Sequence, residues 1–327
     1  AYDIKGIPVM DLHLPSRPGT LGKVINVFKR GCRLHHLKKK EKIDIAYSFG
    51  PTANIANIVS GRTGGEKPQS WLGIRSYMDM GNPRQIRFFC KFSDRLICCS
   101  ETIHKEVVEK YKCDHACTLH NPFDIQEVAE LAAQGKAEIP WEDKCVITSM
   151  GREDVVKGFW HLLKIFARVH EKLPDTRLMI IGKGEFEEYR DLAYRLGIGD
   201  EVYFTGLKKN PYPYLKKSTL YMLTSYYEGF PNAMVEAMSL GIPVVATDCM
   251  TGPREILKDQ YGILIPNMSP DPDMGTGITE EESEVAQKVI ELLQDEKRLA
   301  EYRKLAMERA AMYSKEDYIH KICEWAE

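Results

Sequence analysis

The sequence predicts an α/β protein of two domains built on doubly wound parallel sheets, and three observations predict it. The first is length: 327 residues exceed what one hydrophobic core usually supports, at an ordinary composition of 43% apolar and 28% charged residues. The second is alternation. From Cys145 to Ile265, short β-branched runs take turns with helical patterns, the signature of a parallel sheet with right-handed crossovers. The third is where the glycines and charges fall: directly after those runs, where doubly wound sheets hold their ligands.

In the C-terminal half the expected strands are Cys145–Met150, Arg177–Ile181, Val202–Thr205, Leu220–Leu223, Val244–Thr247 and Ile263–Ile265, with helices over Gly158–Leu173, Phe186–Leu196, Tyr212–Lys217 and Asn232–Leu240. A Pro-, Asp- and Gly-rich stretch, Asn267–Thr279, follows, and helices run from about Glu280 to the end. The N-terminal half is less regular, with strand-like Ile7–Leu12, Ile43–Tyr47, Ser70–Ile74 and Leu96–Cys99. It opens on Ala1 without the first strand-loop-helix unit of a complete doubly wound domain, so the N-terminal domain is expected to be incomplete. Ala129–Asp143, with Gly135 and Pro140, reads as a linker. The expected division is 1–138, 139–312 and a closing helix over 313–327 that braces the two domains.

Composition narrows the function. No apolar run approaches the roughly 20 residues that span a bilayer, and no signal-peptide pattern opens the chain, so a cytoplasmic protein is expected. Nine irregularly spaced cysteines suit free thiols better than a disulfide framework. The halves differ in sign: residues 1–143 carry 21 Lys and Arg against 17 acids, and residues 144–327 carry 24 against 30. Much of the positive excess lies over residues 23–42, where Val24, Val27, Phe28, Leu34 and Leu37 are interleaved with lysines and arginines as in a basic amphipathic helix. Such a helix is either a solvated face over a buried stripe or a contact with an anionic surface, here the inner face of a membrane or a phosphate-bearing acceptor. Aromatic interleaving is confined to Phe28, which argues against nucleic acid as a partner.

Two segments carry the chemistry. Tyr227-Glu228-Gly229-Phe230-Pro231-Asn232-Ala233-Met234-Val235-Glu236 follows a strand and opens a helix. Gly229 allows close approach of a ligand, Pro231 suits a first helical turn, and the amides around Asn232 and Ala233 would stand unpaired at the positive end of the helix dipole, an anion site. Glu228 and Glu236 flank it, and carboxylates beside an anion suit sugar hydroxyls as partners. Gly151-Arg152-Glu153-Asp154-Val155-Val156-Lys157-Gly158 also ends a strand. Its Arg152 is a planar bidentate donor and Lys157 a compact charge, a pairing suited to a diphosphate that gains negative charge as it leaves.

These segments, with Ile181-Gly182-Lys183-Gly184, Phe204-Thr205-Gly206, Gly241-Ile242-Pro243-Val244-Val245-Ala246 and Gly252-Pro253-Arg254-Glu255, resemble the retaining family-four glycosyltransferases of the GT-B fold, which include bacterial capsule, exopolysaccharide and lipopolysaccharide enzymes. The resemblance covers most of the chain. It implies two Rossmann-like domains facing a cleft, the first on the acceptor side and the second binding a nucleotide-sugar. It further implies that Arg152 and Lys157 hold the donor diphosphate, that Glu228 holds the sugar and that Glu236 binds the ribose hydroxyls. Gly151 belongs to the same loop, and backbone groups of Gly229, Phe230, Pro231, Asn232 and Ala233 support sugar and phosphates. Gly182, Gly184, Thr205 and Leu207 would border the base. The resemblance also implies transfer with retention that requires neither metal nor cofactor. Cys98-Cys99-Ser100 and Leu119-His120-Asn121-Pro122-Phe123-Asp124 match more loosely, and Arg75 stands where the family usually has a histidine, a candidate for the cleft.

Other signals carry less. Cys113-Asp114-His115-Ala116-Cys117 with His120 lacks the spacing of a zinc finger, Asp271-Pro272-Asp273 reads as a turn, and Gly182-Lys183-Gly184 lacks the third glycine of a dinucleotide fingerprint. The expected function is transfer of a hexose or N-acetylhexosamine from a nucleoside diphosphate, UDP first, to a hydroxyl of a glycan or lipid-linked glycan. The alternatives are a nucleotide-sugar epimerase or hydrolase on the same fold, and a non-catalytic sugar-nucleotide-binding regulatory subunit.

Overall fold

The computed structural model describes residues 8–12, 14, 19–61 and 67–327. They fall into two compact units, Ala1–Arg75 with Asp79–Thr118, and Ser76–Met78 with Leu119–Glu327.

The first unit carries β1 (Ile45–Phe49), β2 (Gln69–Ile74), β3 (Arg95–Cys98) and β4 (Ala116–Thr118) in one parallel sheet of order β1-β2-β3-β4. Its helices are α1 (Gly19–Lys40), α2 (Pro51–Ser60), α3 (Pro83–Phe92) and α4 (Glu101–Tyr111). Local chemistry sets their starts: Asn82 and Ser100 accept the amides of Gln85 and Ile103, both at 3.2 Å, and prolines open α2 and α3.

The basic helix expected over residues 23–42 is α1. Phe28, Lys29, Arg33, Lys39 and Lys40 are exposed, whereas Lys38 is buried against α2, its ammonium donating to Asn57 O (3.1 Å) and Oδ1 (2.6 Å). Burial pushes the Lys38 pKa down to about 8, with Asp94 opposing. Two expectations fail here. Residues 8–12 form no strand, Leu12 O being taken by the Arg33 guanidinium rather than by a ladder, while Ile7 lies outside the described residues. The three-residue β4 has no counterpart among the expected strands.

The second unit begins with α5 (Ile125–Ala133), which occupies the first part of the expected linker; it is capped by Asp124, which accepts from Glu127 N (2.9 Å). Six parallel strands follow, β5 (Cys145–Met150), β6 (Thr176–Ile181), β7 (Val202–Gly206), β8 (Leu220–Leu223), β9 (Val244–Thr247) and β10 (Ile263–Ile265), in the order β10-β9-β8-β5-β6-β7. Between and after them run α6 (Phe159–Lys172), α7 (Glu187–Arg195), α8 (Tyr212–Leu215), α9 (Asn232–Ser239), α10 (Pro253–Leu257), α11 (Glu280–Gln294), α12 (Glu296–Ala311) and α13 (Lys315–Ala326). Alternate residues feed opposite faces. Ile147, Leu178 and Ile180 join one core with α6, α7 and α11, while Val146, Met179 and Ile181 pack on the other side.

The stretch 267–279 is pinned to α6. His161 lies between the Glu282 carboxylate (2.6 Å) and the Ser269 carbonyl (2.9 Å), and the buried Lys164 donates to Asp273 (2.6 Å). Asp273 of the Asp-Pro-Asp turn thus serves an ion pair. No described helix is long and apolar enough to cross a membrane.

Candidate active site

Chain order reverses between β5 and β8, so the loops leaving their carboxyl ends diverge and open a crevice. A cavity of about 520 Å3 lies there, lined among others by Gly151, Arg152, Lys157, Tyr227, Glu228 and Glu236. Its size suits a small molecule.

The loop after β5 reaches the cavity through a turn that only glycine allows. Gly158 has φ +59°, and a Cβ there would lie 2.5 Å from Thr224 O. The turn is tied to the segment beyond β8, with Thr224 Oγ1 donating to Lys157 O (2.9 Å) and Tyr226 N to Val156 O (3.1 Å). This places Lys157 Nζ 2.8 Å from Glu228 Oε1, with both side chains mostly buried. The two residues come from segments 71 apart in sequence and meet as partners. Their pairing gives the site a cation and an acid acceptor side by side.

Arg152 stands differently. Its guanidinium forks onto Asp154 (Nε 3.0 Å, Nη2 2.7 Å) and its side chain is 75% exposed. Exposed pairs of this kind contribute about 0–1 kcal/mol, so an anionic ligand can draw Arg152 away at small cost.

Opposite lies the start of α9. Pro231 precedes it without a side-chain cap, and Gly252 (φ +93°) packs so closely that a Cβ would lie 2.5 Å from Pro231 Cδ. Thr251 Oγ1 donates to Glu228 O and fixes the loop from below. Of the two amides expected to stand free, that of Asn232 is taken by Phe230 O (2.9 Å), and only that of Ala233 has no acceptor among the described residues. Phe230, Pro231, Asn232 and Ala233 line the cavity with Gly229. Glu236 reaches it from one turn into α9; burial pushes its carboxyl up to about 7, with a hydrogen bond from Tyr212 opposing. Beneath, the fully buried Tyr221 has its hydroxyl 3.4 Å from Met150 O and its pKa raised, first by burial and also by Glu228 and Glu236.

Gly182, Gly184, Thr205 and Leu207 sit at the ends of β6 and β7 and are not among the residues that line the cavity. Gly182 is a contact glycine: a Cβ would lie 1.7 Å from Gly151 O, next to a register shift between Ile180 and Ile181. Leu207 is exposed. In the first unit, Arg75 follows β2, its guanidinium 5.4 Å from the centre of the Phe49 ring and its amide donating to Asp79 (3.2 Å). Sequence reasoning missed Glu153, Thr224 and Thr251, whose side chains hold the loops. Glu153 stood within a quoted motif, but its partners lie 32 and 33 residues away and leave no local signal.

Two parallel α/β sheets with a crevice at the reversal of the second define the class, that of GT-B proteins. The profile described as glycosyl transferases group 1 matches residues 134–309, more than half of the chain, and the chain belongs to that family. It is similar to an uncharacterized glycosyltransferase of Methanocaldococcus jannaschii, 31% identical over 263 residues that cover 73% of this chain and 64% of that one. It is also similar to the lipopolysaccharide 1,6-galactosyltransferase of Salmonella typhimurium, 41% identical over 174 residues, 51% of this chain and 46% of the relative. The chain thus spans less than two thirds of these curated relatives. Among solved structures, that of Anabaena HepE in complex with UDP matches with a TM-score of 0.74 at 18% identity, covering 93% of this chain and 82% of that one.

Proposed function

We propose that the protein is a retaining glycosyltransferase that moves a hexose or N-acetylhexosamine from a UDP-sugar to a hydroxyl of a glycan or lipid-linked glycan. The observation that carries this reading is the meeting of Lys157 and Glu228 at 2.8 Å beside the start of α9. A cation, a helix start and an acid suit the diphosphate and the sugar of one donor. Membership of the family supports glycosyl transfer, the names of relatives active in lipopolysaccharide synthesis support a glycan acceptor, and the UDP held by HepE supports the base.

In this reading Lys157, joined by Arg152 once it leaves Asp154, neutralises the diphosphate, helped by the Ala233 amide. Glu228 accepts from sugar hydroxyls and Glu236 from the ribose. Gly151, Gly182, Gly184, Thr205 and Leu207 border the nucleotide, and Gly229 to Asn232 back the sugar and phosphates. The bond from the acceptor oxygen to the anomeric carbon forms on the face from which the bond to phosphate breaks. The bonding electrons leave with the diphosphate, whose oxygen takes the acceptor proton, so the products are a glycoside of unchanged anomeric configuration and UDP. With Arg152 and Lys157 meeting the charge, the reaction runs without a metal or cofactor. The exposed cations of α1 would hold the protein at the anionic inner face of a membrane, within reach of lipid-linked acceptors.

Calorimetric titration with UDP, GDP and ADP and their sugar conjugates, in the presence of a chelator, tests the reading. UDP binding that persists with chelator is the expected result. Binding of GDP or ADP instead would change the base, and no binding by any would sink the donor site.

A further inference from the structure

The loops after β5 and β6 are joined through one side chain that the proposed mechanism leaves unused, Glu153. Its Oε2 accepts from Glu185 N (2.9 Å) and Phe186 N (3.0 Å), and its own amide donates to Lys183 O (2.7 Å). The entry to α7 uses this partner. Phe186, which precedes the helix, has φ +56° and supplies no side-chain cap, and the two amides that Glu153 holds are its own and that of Glu185 before it. Glu153 thus fixes the residues that lead into α7 from the loop of a neighbouring strand.

The glycines around it fit this arrangement. A Cβ at Gly184 would lie 2.3 Å from Glu153 Cβ and 2.6 Å from its Oε2, so Gly184 makes room for the carboxylate. Gly182 lets the two loops touch through Gly151 O. With two amides on one oxygen, the carboxylate charge is taken up by the backbone that leads into α7.

We propose that Glu153 is a positioning residue for the donor nucleotide, a clasp that holds residues 182–186 against residues 151–154 and thereby fixes the wall beside the base. The inference rests on the donor-site reading above. It assigns Glu153 to binding rather than to the chemical step, because the side chain contacts the loop and not the Lys157 and Glu228 pair.

Wild type, Glu153→Gln and Glu153→Ala are compared by calorimetry with UDP, by steady-state kinetics, and by thermal unfolding without nucleotide. Glu153→Ala is expected to weaken UDP binding at least tenfold, the scale of losing charge-assisted hydrogen bonds, and to raise the donor KM while kcat falls less than threefold. Glu153→Gln keeps one neutral oxygen toward the amides and is expected to lose about three- to tenfold in affinity at a near-native unfolding temperature. Should Glu153→Ala fail to fold, the Gln variant decides alone: UDP binding within twofold of wild type overturns the clasp. A fall in kcat at unchanged KM overturns it as well. Wild type that binds no nucleotide would instead defeat the donor-site reading, so the two failures are distinguishable.

Discussion

The two sheets differ in where their strand order reverses. In the first, β1 to β4 lie side by side in chain order, so among the described residues no pair of successive loops diverges. In the second, the chain starts at the centre on β5, grows outward through β6 and β7, and returns to the far side of β5 for β8, β9 and β10. Lys157 follows β5 and Glu228 follows β8, and their meeting is a consequence of that return. Among the described residues, two sheets of the same kind therefore differ in where successive loops diverge, and the difference lies in connectivity more than in composition.

The sharpest way to break this comparison is Lys157→Ala. If the crevice serves a departing diphosphate, kcat should fall about 10²- to 10³-fold, the scale of losing one preorganised donor in the transition state, while UDP affinity falls only a few-fold. Stopped assays at saturating donor, paired with calorimetry, separate the two numbers; equal losses would show that Lys157 binds substrate and transition state alike.

Next in size is the turn that carries Lys157. Gly158→Ala must place a side chain at φ +59° and 2.5 Å from a backbone carbonyl, so either the turn or the end of β8 shifts. A destabilisation of about 3 kcal/mol is expected, measured by denaturant unfolding, with the catalytic defect of a displaced Lys157. Gly135, also at positive φ (+97°) but with nothing within 4 Å, is the internal comparison: its Ala variant pays only for the backbone angle, about 1 kcal/mol.

A smaller effect reads Glu236. Its folded carboxyl titrates near 7, above the usual carboxylate range, so the folded state keeps a proton that the unfolded chain has already released. Stability from this group therefore falls as pH rises from about 4.5 through about 7 and is level beyond. If Glu236 accepts from ribose hydroxyls, they favour the ionised form, nucleotide binding expels that proton, and UDP affinity should be about tenfold higher at pH 8 than at pH 6. Glu236→Gln should bind more weakly and flatten the profile; a wild-type profile already flat would remove Glu236 from the ribose.

Much of the second sheet was legible because its strands are β-branched runs that both core faces demand. Expected and observed bounds agree from Cys145–Met150 to Ile263–Ile265, apart from one residue at Thr176 and one at Gly206. The first sheet was harder. Ala116–Thr118 is too short to show alternation, and α5 hid in a stretch whose Gly135 and Pro140 signalled a linker. The carrying residues of the site were legible as chemistry, but their use was not: Gly184 reads as a base-side glycine, and only its 2.3 Å approach to Glu153 Cβ shows what it accommodates. Lys38 likewise reads as one more surface charge until Asn57 and its burial are seen.

The smallest expected effect is the one that most sharpens the comparison. Arg75 follows β2 in the sheet that shows no reversal among the described residues, stacked on Phe49 and fixed at its backbone by Asp79. If donor binding belongs to the second unit alone, Arg75→Ala should change UDP affinity less than twofold, because no donor contact is lost and the cation over the Phe49 ring contributes about 0.5–1 kcal/mol to local packing. The same calorimetric titration measures it. A tenfold loss would mean that the first sheet supplies a donor contact despite its sequential order, and connectivity would then no longer explain where the nucleotide binds.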